Sequence, residues 1–189
     1  WGGPAVNSPS SSSRSTSGPR LSLCMIARDE SSCIERALRS AVPLCDELLV
    51  VDTGSADPTP DIARACGARV IPFVWGDDFS AARNFGLEQA SGSWALILDA
   101  DEALSEDLRK SILAVKDQLS GVYEFNRRNH YCGKWIKHCG WYPDRKTRLF
   151  PKGEAEWKGN LHETLVFSPE MKIHFLKGDL LHYSYDSID

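Results

Sequence analysis

Ser93-Trp94-Ala95-Leu96-Ile97-Leu98-Asp99-Ala100-Asp101-Glu102 runs from an unbroken apolar stretch straight into three carboxylates. Trp94–Leu98 has the length of a strand, and a continuous apolar run predicts a strand covered on both faces, as in a parallel sheet. The carboxylates then fall just past its carboxyl end, where open α/β sheets bind their ligands. Asp99 and Asp101 offer two hard oxygen ligands, a set that suits Mg²⁺ or Mn²⁺ completed by phosphate oxygens and water. A DxD tripeptide is common by chance, so its place after a buried strand gives it weight.

Upstream, the pattern alternates. Leu21–Ala27, Leu48–Asp52 and Ala68–Phe73 read as strands. Between them Ser32 and Glu35 read as a capping box ahead of Ile34, Leu38 and Val42 at helical spacing. Thr59-Pro60 opens a short helix as cap and first-turn proline, Gly67 closes it, and Ser80–Ala90 is a third helix. Downstream, Ser105 caps a helix whose Leu108, Ile112, Val115 and Leu119 share a face, and Glu102 is readable as its approach. Strand–helix alternation with short connections predicts a parallel sheet with right-handed crossovers. From Gly121 onward, aromatic and basic segments are broken by Gly and Pro, with strands expected at Tyr123–Asn126, Thr147–Phe150 and Leu180–Tyr183.

Three strand ends carry polar groups: Arg28-Asp29-Glu30, Asp52-Thr53-Gly54-Ser55 and Asp99 to Glu102. In a doubly wound order the first and fourth strands are neighbours, so Asp52 and the Asp99 pair face one cleft. Asp52 is equally readable as the cap of its own turn. Carboxylates crowded into one crevice need a cation or hydrogen-bond donors to offset their repulsion.

The 189 residues suit one domain with a small appendage, and 42% hydrophobic residues suffice for an ordinary core. A net charge of -4 with 25% charged residues is a poor match for nucleic acid. Six scattered cysteines without a CxxC pair read as reduced thiols of a cytoplasmic protein. No apolar run reaches the ~20 residues of a membrane span. Residues 1–20 are rich in Ser, Pro and Gly and read as a disordered tail or remnant. The absence of GxGxxG after the first strand, and of a Walker loop anywhere, speaks against dinucleotide enzymes and P-loop NTPases.

LSLCMIARDE (21–30), ELLVVDTGSADPT (47–59) and DDFSAARNFGLEQASGSWALILDADE (77–102) together resemble family 2 glycosyltransferases. The likeness is strongest to the bacterial branch of lipopolysaccharide inner-core β-1,4-glucosyltransferases and related tetratricopeptide-linked enzymes. It continues through NRRNHYCGKWIKHCGWYPDRKTRLF (126–150), NLHET (160–164) and LLHYSY (180–185), covering nearly everything from Leu21. Ala56-Asp57-Pro58 departs from the family's usual Thr-Asp-Gly.

The resemblance implies a Rossmann-like GT-A fold: a mostly parallel sheet flanked by helices, with a small mixed β region on the acceptor side. It implies a nucleotide-sugar half at 21–120 and an acceptor half at 121–189 that stops short of the family's usual C-terminus. The implied function is metal-dependent, inverting transfer of a hexose, glucose first among them, from a UDP-sugar to a saccharide or glycolipid acceptor such as lipopolysaccharide core. Work at the cytoplasmic face of the inner membrane, with peripheral contact and no nucleic-acid partner, goes with it. Residues matching Ala27 to Glu30, among them Arg28, and Asp52 would line the base pocket, with Arg83-Asn84 on the nucleotide side. Asp99 and Asp101 match the DxD pair, with Asp101 the direct ligand of Mn²⁺ or Mg²⁺ and His182 completing the shell.

A base must take the acceptor hydroxyl proton. Glu163 matches the family's catalytic carboxylate, and Asp144, beside Trp141 and Tyr142, is its rival. The basic, aromatic segment Arg127–Arg148 reads as a site for an anionic acceptor, or as a solvated loop over core aromatics. Arg83 and His182 are also readable as a surface arginine and an ordinary strand histidine. A truncated, non-catalytic nucleotide-sugar-binding module is the alternative to an enzyme. A pyrophosphorylase would need a glycine-rich loop after the first strand, which Arg28-Asp29-Glu30-Ser31 does not supply, and two carboxylates alone do not fill a metal-binding module's shell.

Overall fold

The computed structural model describes residues 20–131, 133–136, 142–160 and 163–185, with residues 184 and 185 in backbone alone. In chain order the first half runs β1 (Leu21–Ala27), α1 (Ile34–Ala41), β2 (Glu47–Asp52), α2 (Thr59–Ala65), β3 (Arg69–Pro72), α3 (Phe79–Gln89) and β4 (Trp94–Ile97). Then come β5 (Glu102–Leu104), α4 (Glu106–Val115), a 3₁₀ turn at Lys116–Gln118, β6 (Val122–Tyr131), β7 (Lys134–Trp135) and β8 (Asp144–Pro151). A hairpin of β9 (Ala155–Lys158) and β10 (Thr164–Phe167) precedes the long β11 (Ile173–Tyr185).

Among the described residues the main sheet has the order β3-β2-β1-β4-β8-β6-β11-β5, with β7 attached to β6. The first four strands are parallel, and β1 pairs with both β2 and β4 as the doubly wound reading requires. β8 runs antiparallel to β4 and β6, β11 parallel to β6, and β5 antiparallel to β11. This is the expected α/β architecture, with its mixed region in the second half.

Both faces of the sheet are covered, which is why its strands read as unbroken apolar runs. Leu21, Leu23, Met25, Val50, Leu96 and Leu98 pack against Ile34 and Leu38 of α1 and Leu108 and Ile112 of α4. Alternate residues Cys24, Leu49, Ala95 and Ile97 face the other way, onto Leu87 of α3, Phe150 and Trp157. Cys24, Cys33, Cys45 and Cys66 are free thiols. No described helix is long and apolar enough to cross a membrane.

Several local expectations are corrected. Cys33, not Ser32, holds the N-cap of α1 and makes no side-chain cap; Glu30 O accepts from Cys33 N and Ile34 N instead, and Glu35 turns outward to Arg39 at 2.7 Å. Val42 is 48% exposed, so the buried stripe is Ile34, Ala37, Leu38 and Ala41. Thr59 is the first residue of α2 and not its cap; Asp57 accepts from Thr59 N at 2.9 Å. Asp78 caps α3, accepting from Ala81 N at 2.9 Å. Ser105 caps α4 as read, accepting from Leu108 N at 3.3 Å, and Leu119 lies beyond the helix.

Glu102 opens β5 and does not belong to a helix start. Its pairing with β11, His182 opposite Glu102, carries the C-terminal strand back to the end of β4. The β9–β10 hairpin was not expected at all. Asn84 anchors it by donating to Trp157 O and accepting from Trp157 N, each at 2.9 Å.

Candidate active site

The carboxyl ends of β1, β2 and β4 open on a cavity of about 540 Å³. Its walls include Ala27, Arg28 and Glu30 after β1, Thr53 after β2, Trp75 and Phe79 before and in α3, and Asp99, Ala100 and Asp101 after β4. Arg83 projects into it from α3, Glu163 from the β9–β10 loop and His182 from β11. Most of the residues singled out in the sequence therefore meet in one cleft, although they span from Ala27 to His182.

The loop after β1 is stitched to the loop after β2. Asp29, at φ 55, accepts from Ala56 N at 2.7 Å, and its own N donates to Ser55 Oγ at 3.0 Å. Ser31 N donates to Asp57 Oδ2 at 3.0 Å, and the hydrogen bonds from Ser31 and Thr59 hold the Asp57 carboxyl below its ordinary range. Ala56-Asp57-Pro58 thus serves as a scaffold for the cavity's rim. Asp52 accepts from Ser55 N at 3.1 Å, and the neighbouring Thr53, not Asp52, is among the lining residues. Glu30 accepts from Cys33 Sγ at 3.0 Å; burial, with Glu30 beside it, pushes that thiol up to about 12.

Asp99 is gripped on both oxygens. Arg83 Nη2 donates to Oδ1 at 2.7 Å and Arg148 Nη2 to Oδ2 at 2.8 Å. Burial pushes the Asp99 carboxyl up, but Arg148 and Arg83 outweigh it and hold the group well below the usual carboxylate range. Arg148 is itself buried and also reaches Glu102 at 3.3 Å. Glu102 is wholly buried, and burial raises its pKa; it accepts from Asp99 N at 3.0 Å and so fixes the turn that presents the two aspartates. These charge-assisted bonds in a desolvated wall are stronger than neutral ones.

Asp101 is free of that clamp and faces His182, whose Nε2 lies 3.0 Å from Asp101 Oδ2. His182 Nδ1 is 2.7 Å from Asn129 Oδ1. Arg83 Nε and Nη2 both donate to Glu163 Oε1, at 3.1 and 3.0 Å, so Oε2 takes neither bond. Asp144 is held by Arg127 at 2.9 Å and Lys146 at 3.1 Å and is not among the residues lining this cavity. Trp141 lies outside the described residues. Among the described residues no three His, Cys, Asp or Glu side chains converge into a metal cage.

The family model for glycosyl transferase family 2 matches residues 22–173. The chain belongs to glycosyltransferase family 2. It is 53% identical over 85 residues to a TPR repeat-containing protein of Synechococcus elongatus, an overlap of 45% of this chain and 21% of that protein. It is 30% identical over 189 residues to an uncharacterized glycosyltransferase of Rickettsia prowazekii, covering 90% of this chain and 62% of the relative. The chain therefore spans less than two thirds of either relative's length.

Among solved structures, S. aureus TarS 1-349 superposes with a TM-score of 0.55 at 18% identity over 70% of this chain and 47% of TarS, which shows the shared GT-A fold. Glucosyl-3-phosphoglycerate synthase of Mycobacterium tuberculosis, crystallised with Mn²⁺, UDP and glucosyl-3-phosphoglycerate, matches with a TM-score of 0.50 at 25% identity over 60% of this chain and 45% of the synthase.

Trp75 and Phe79 escaped the sequence reading as site residues, and Asn129 and Arg148 were read only within the acceptor segment Arg127–Arg148, not beside the two aspartates. Arg148 stood in a quoted motif, but only the pairing of β8 with β4 shows that it meets Asp99. Asn129 stood in the same motif, past the end of the expected strand Tyr123–Asn126, and only the pairing of β6 with β11 sets it opposite His182.

Proposed function

We propose that this chain is a metal-dependent, inverting hexosyltransferase, moving a hexose, glucose first among them, from a UDP-sugar to a saccharide acceptor such as lipopolysaccharide core. The observation that carries the reading is the pairing of Asp101 with His182 on the wall of a cavity that Glu163 also lines. One carboxylate oxygen and one imidazole nitrogen form a donor set that suits Mn²⁺ or Mg²⁺ sharing its shell with diphosphate oxygens and water. The synthase from M. tuberculosis, with its Mn²⁺ and UDP, supports the same assignment. The metal would supply Lewis-acid stabilisation of the departing diphosphate.

This chain's own groups divide the remaining work. Asp99 anchors Arg83 and Arg148, leaving Asp101 and His182 as the ligands. Ala27, Arg28 and Glu30 form the nucleotide side, Asp52 is assigned there by the resemblance alone, and Trp141 is assigned to sugar stacking by sequence alone. Glu163 is preferred as the base because it lines the cavity and keeps one oxygen off Arg83, whereas Asp144 is occupied by Arg127 and Lys146. Residues 21–120 would carry the donor and residues 121–189 the acceptor. Inversion, the lipopolysaccharide acceptor and work at the cytoplasmic face of the inner membrane rest on the resemblance.

Calorimetric titration of UDP and UDP-glucose with and without Mn²⁺, repeated on Asp101→Ala, tests the donor site. Metal-dependent binding that the variant loses is the expected outcome. Absence of nucleotide binding under every metal condition would overturn the reading.

A further inference from the structure

A second cavity, of about 530 Å³, adjoins the first and shares Arg83, Asp99 and Glu163 with it. Its other walls come from the mixed half of the sheet and the hairpin: Arg127 of β6, Arg145, Lys146 and Arg148 of β8, and Thr164 of β10. Five cations thus line it against two carboxylates. Behind the lining, Asp144 is shared between Arg127 and Lys146, and Glu102 between Arg148 at 3.3 Å and Arg127 at 3.8 Å. Even with both counted, positive charge exceeds negative.

The cations are not equivalent. Arg83 and Arg148 are committed to Asp99 of the wall, and Arg127 and Lys146 share the single carboxylate of Asp144 behind it. Arg145 is exposed, with its guanidinium 4.9 Å from the centre of the Phe175 ring, and Lys146 is half-buried beside it. A guanidinium with an aromatic platform and a neighbouring ammonium matches the geometry that binds phosphate or carboxylate oxygens. At the shared wall, Arg83 spends Nε and Nη2 on Glu163 and Asp99, while its buried Nη1 has no hydrogen-bond partner among the described residues.

We propose that the second cavity receives an acceptor sugar bearing an anionic group, a phosphate ester or a carboxylate, which Arg145 and Lys146 bind. The assignment rests on the first cavity being the donor site. The acceptor hydroxyl oxygen then bonds to the anomeric carbon of the donor sugar, the bond from that carbon to the diphosphate oxygen breaks with its electron pair leaving on UDP, and the hydroxyl proton passes to Glu163. Placement fits this order, because Glu163 lines both cavities.

The test titrates glucose 6-phosphate, glucuronate and glucose separately into the protein, with and without saturating UDP and Mn²⁺, and follows backbone amide shifts by NMR. Comparison variants are Arg145→Gln, at an exposed position, and the double variant Arg145→Ala/Lys146→Ala, with folding checked by thermal unfolding. Binding of an anionic sugar but not of glucose, weakened tenfold or more in the double variant and weakened by added salt, is expected. Glucose 6-phosphate against glucuronate then distinguishes a phosphate from a carboxylate. Anionic sugars that bind no better than glucose, or equally well to all three proteins, overturn the proposal. Failure of the wild type to bind UDP strikes the donor reading instead, and the titrations without UDP still report on the second cavity.

Discussion

His182 and Asp101 are 81 residues apart in the chain, yet His182 Nε2 stands 3.0 Å from Asp101 Oδ2. The contact is a product of register: β11 pairs with β5 so that His182 lies opposite Glu102, and Tyr183 N donates to Asp101 O at 2.9 Å. Asn129, opposite His182 on β6, closes on the other ring nitrogen at 2.7 Å. With Nδ1 turned to Asn129 Oδ1, Nε2 is the ring nitrogen that faces Asp101 and the one that would hold a metal shared with that carboxylate.

Asn129→Ala should therefore weaken metal-dependent UDP binding by about 10–100-fold, the usual cost of removing such an orienting partner. His182→Ala should weaken it further. Calorimetry with and without Mn²⁺ reads both. An Asn129 variant that binds as the wild type does would show that the ring is oriented by its backbone alone.

Arg83 holds two carboxylates from separate parts of the chain, Asp99 after β4 and Glu163 in the hairpin loop. Its side chain is 7% exposed, so Arg83→Ala leaves Glu163 without this cation and Asp99 with Arg148 alone in a largely desolvated wall. A loss of about 3 kcal/mol in urea unfolding is expected, at the lower end for buried pairs because Asp99 and Glu163 retain some solvent. Arg83→Lys should recover part of it, since an ammonium restores the charge but not the fork of donors. Equal stability of all three proteins would remove Arg83 from the wall's energetics.

Much of this was legible early, because β1, β2 and β4 are buried on both faces and announce themselves as apolar runs ending in polar groups. The site's first half follows from that pattern and from the rule that ligands gather at strand ends. The second half did not, for a physical reason. Arg148 and Glu102 acquire their roles through the antiparallel pairing of β8 with β4 and of β5 with β11, and Asn129 through the parallel pairing of β6 with β11, none of which a local period encodes. The β9–β10 hairpin is short and mixed in polarity, and its fastening by Asn84 is a tertiary contact. Ser32 failed as a cap because Glu30 O and the stitched loop already fix the start of α1.

Glu47 makes a pH test possible away from the cavity. Its carboxylate accepts from Ser22 Oγ at 2.6 Å, Ser91 N at 2.7 Å and Arg69 Nη2 at 2.8 Å. Burial pushes its pKa up, but these bonds prevail and lower it from 4.5 to about 2. A folded-state pKa below the unfolded one stabilises above the unfolded value and loses that contribution as pH falls through the folded one. Glu47→Gln should accordingly be less stable than the wild type at neutral pH, with the gap closing as pH drops from 4.5 toward about 2. Urea midpoints of both proteins across that window decide it, and a gap independent of pH would mean that the charge contributes nothing.

Gly178 joins the fold to the site. Its φ is 102, and a Cβ there would lie 2.2 Å from Leu108 N and 2.6 Å from Leu108 Cα, both backbone atoms of α4. The next residue, Asp179, donates from N to Ser105 Oγ and accepts from Ser105 N, each at 3.0 Å, so the cap of α4 is built on this turn of β11. Gly153, at φ 90, has nothing within 4 Å of the same position. Gly153→Ala should cost only the left-handed strain of about 1–2 kcal/mol, whereas Gly178→Ala must add displacement of α4 or β11 and cost more. Because β11 carries His182 a short distance beyond, Gly178→Ala should also reduce Mn²⁺-dependent UDP affinity, and Gly153→Ala should not. Denaturant unfolding and calorimetry on the two variants separate these effects. Equal losses of stability and binding in both would show that α4 and β11 yield easily at their joint and that the position of His182 does not depend on it.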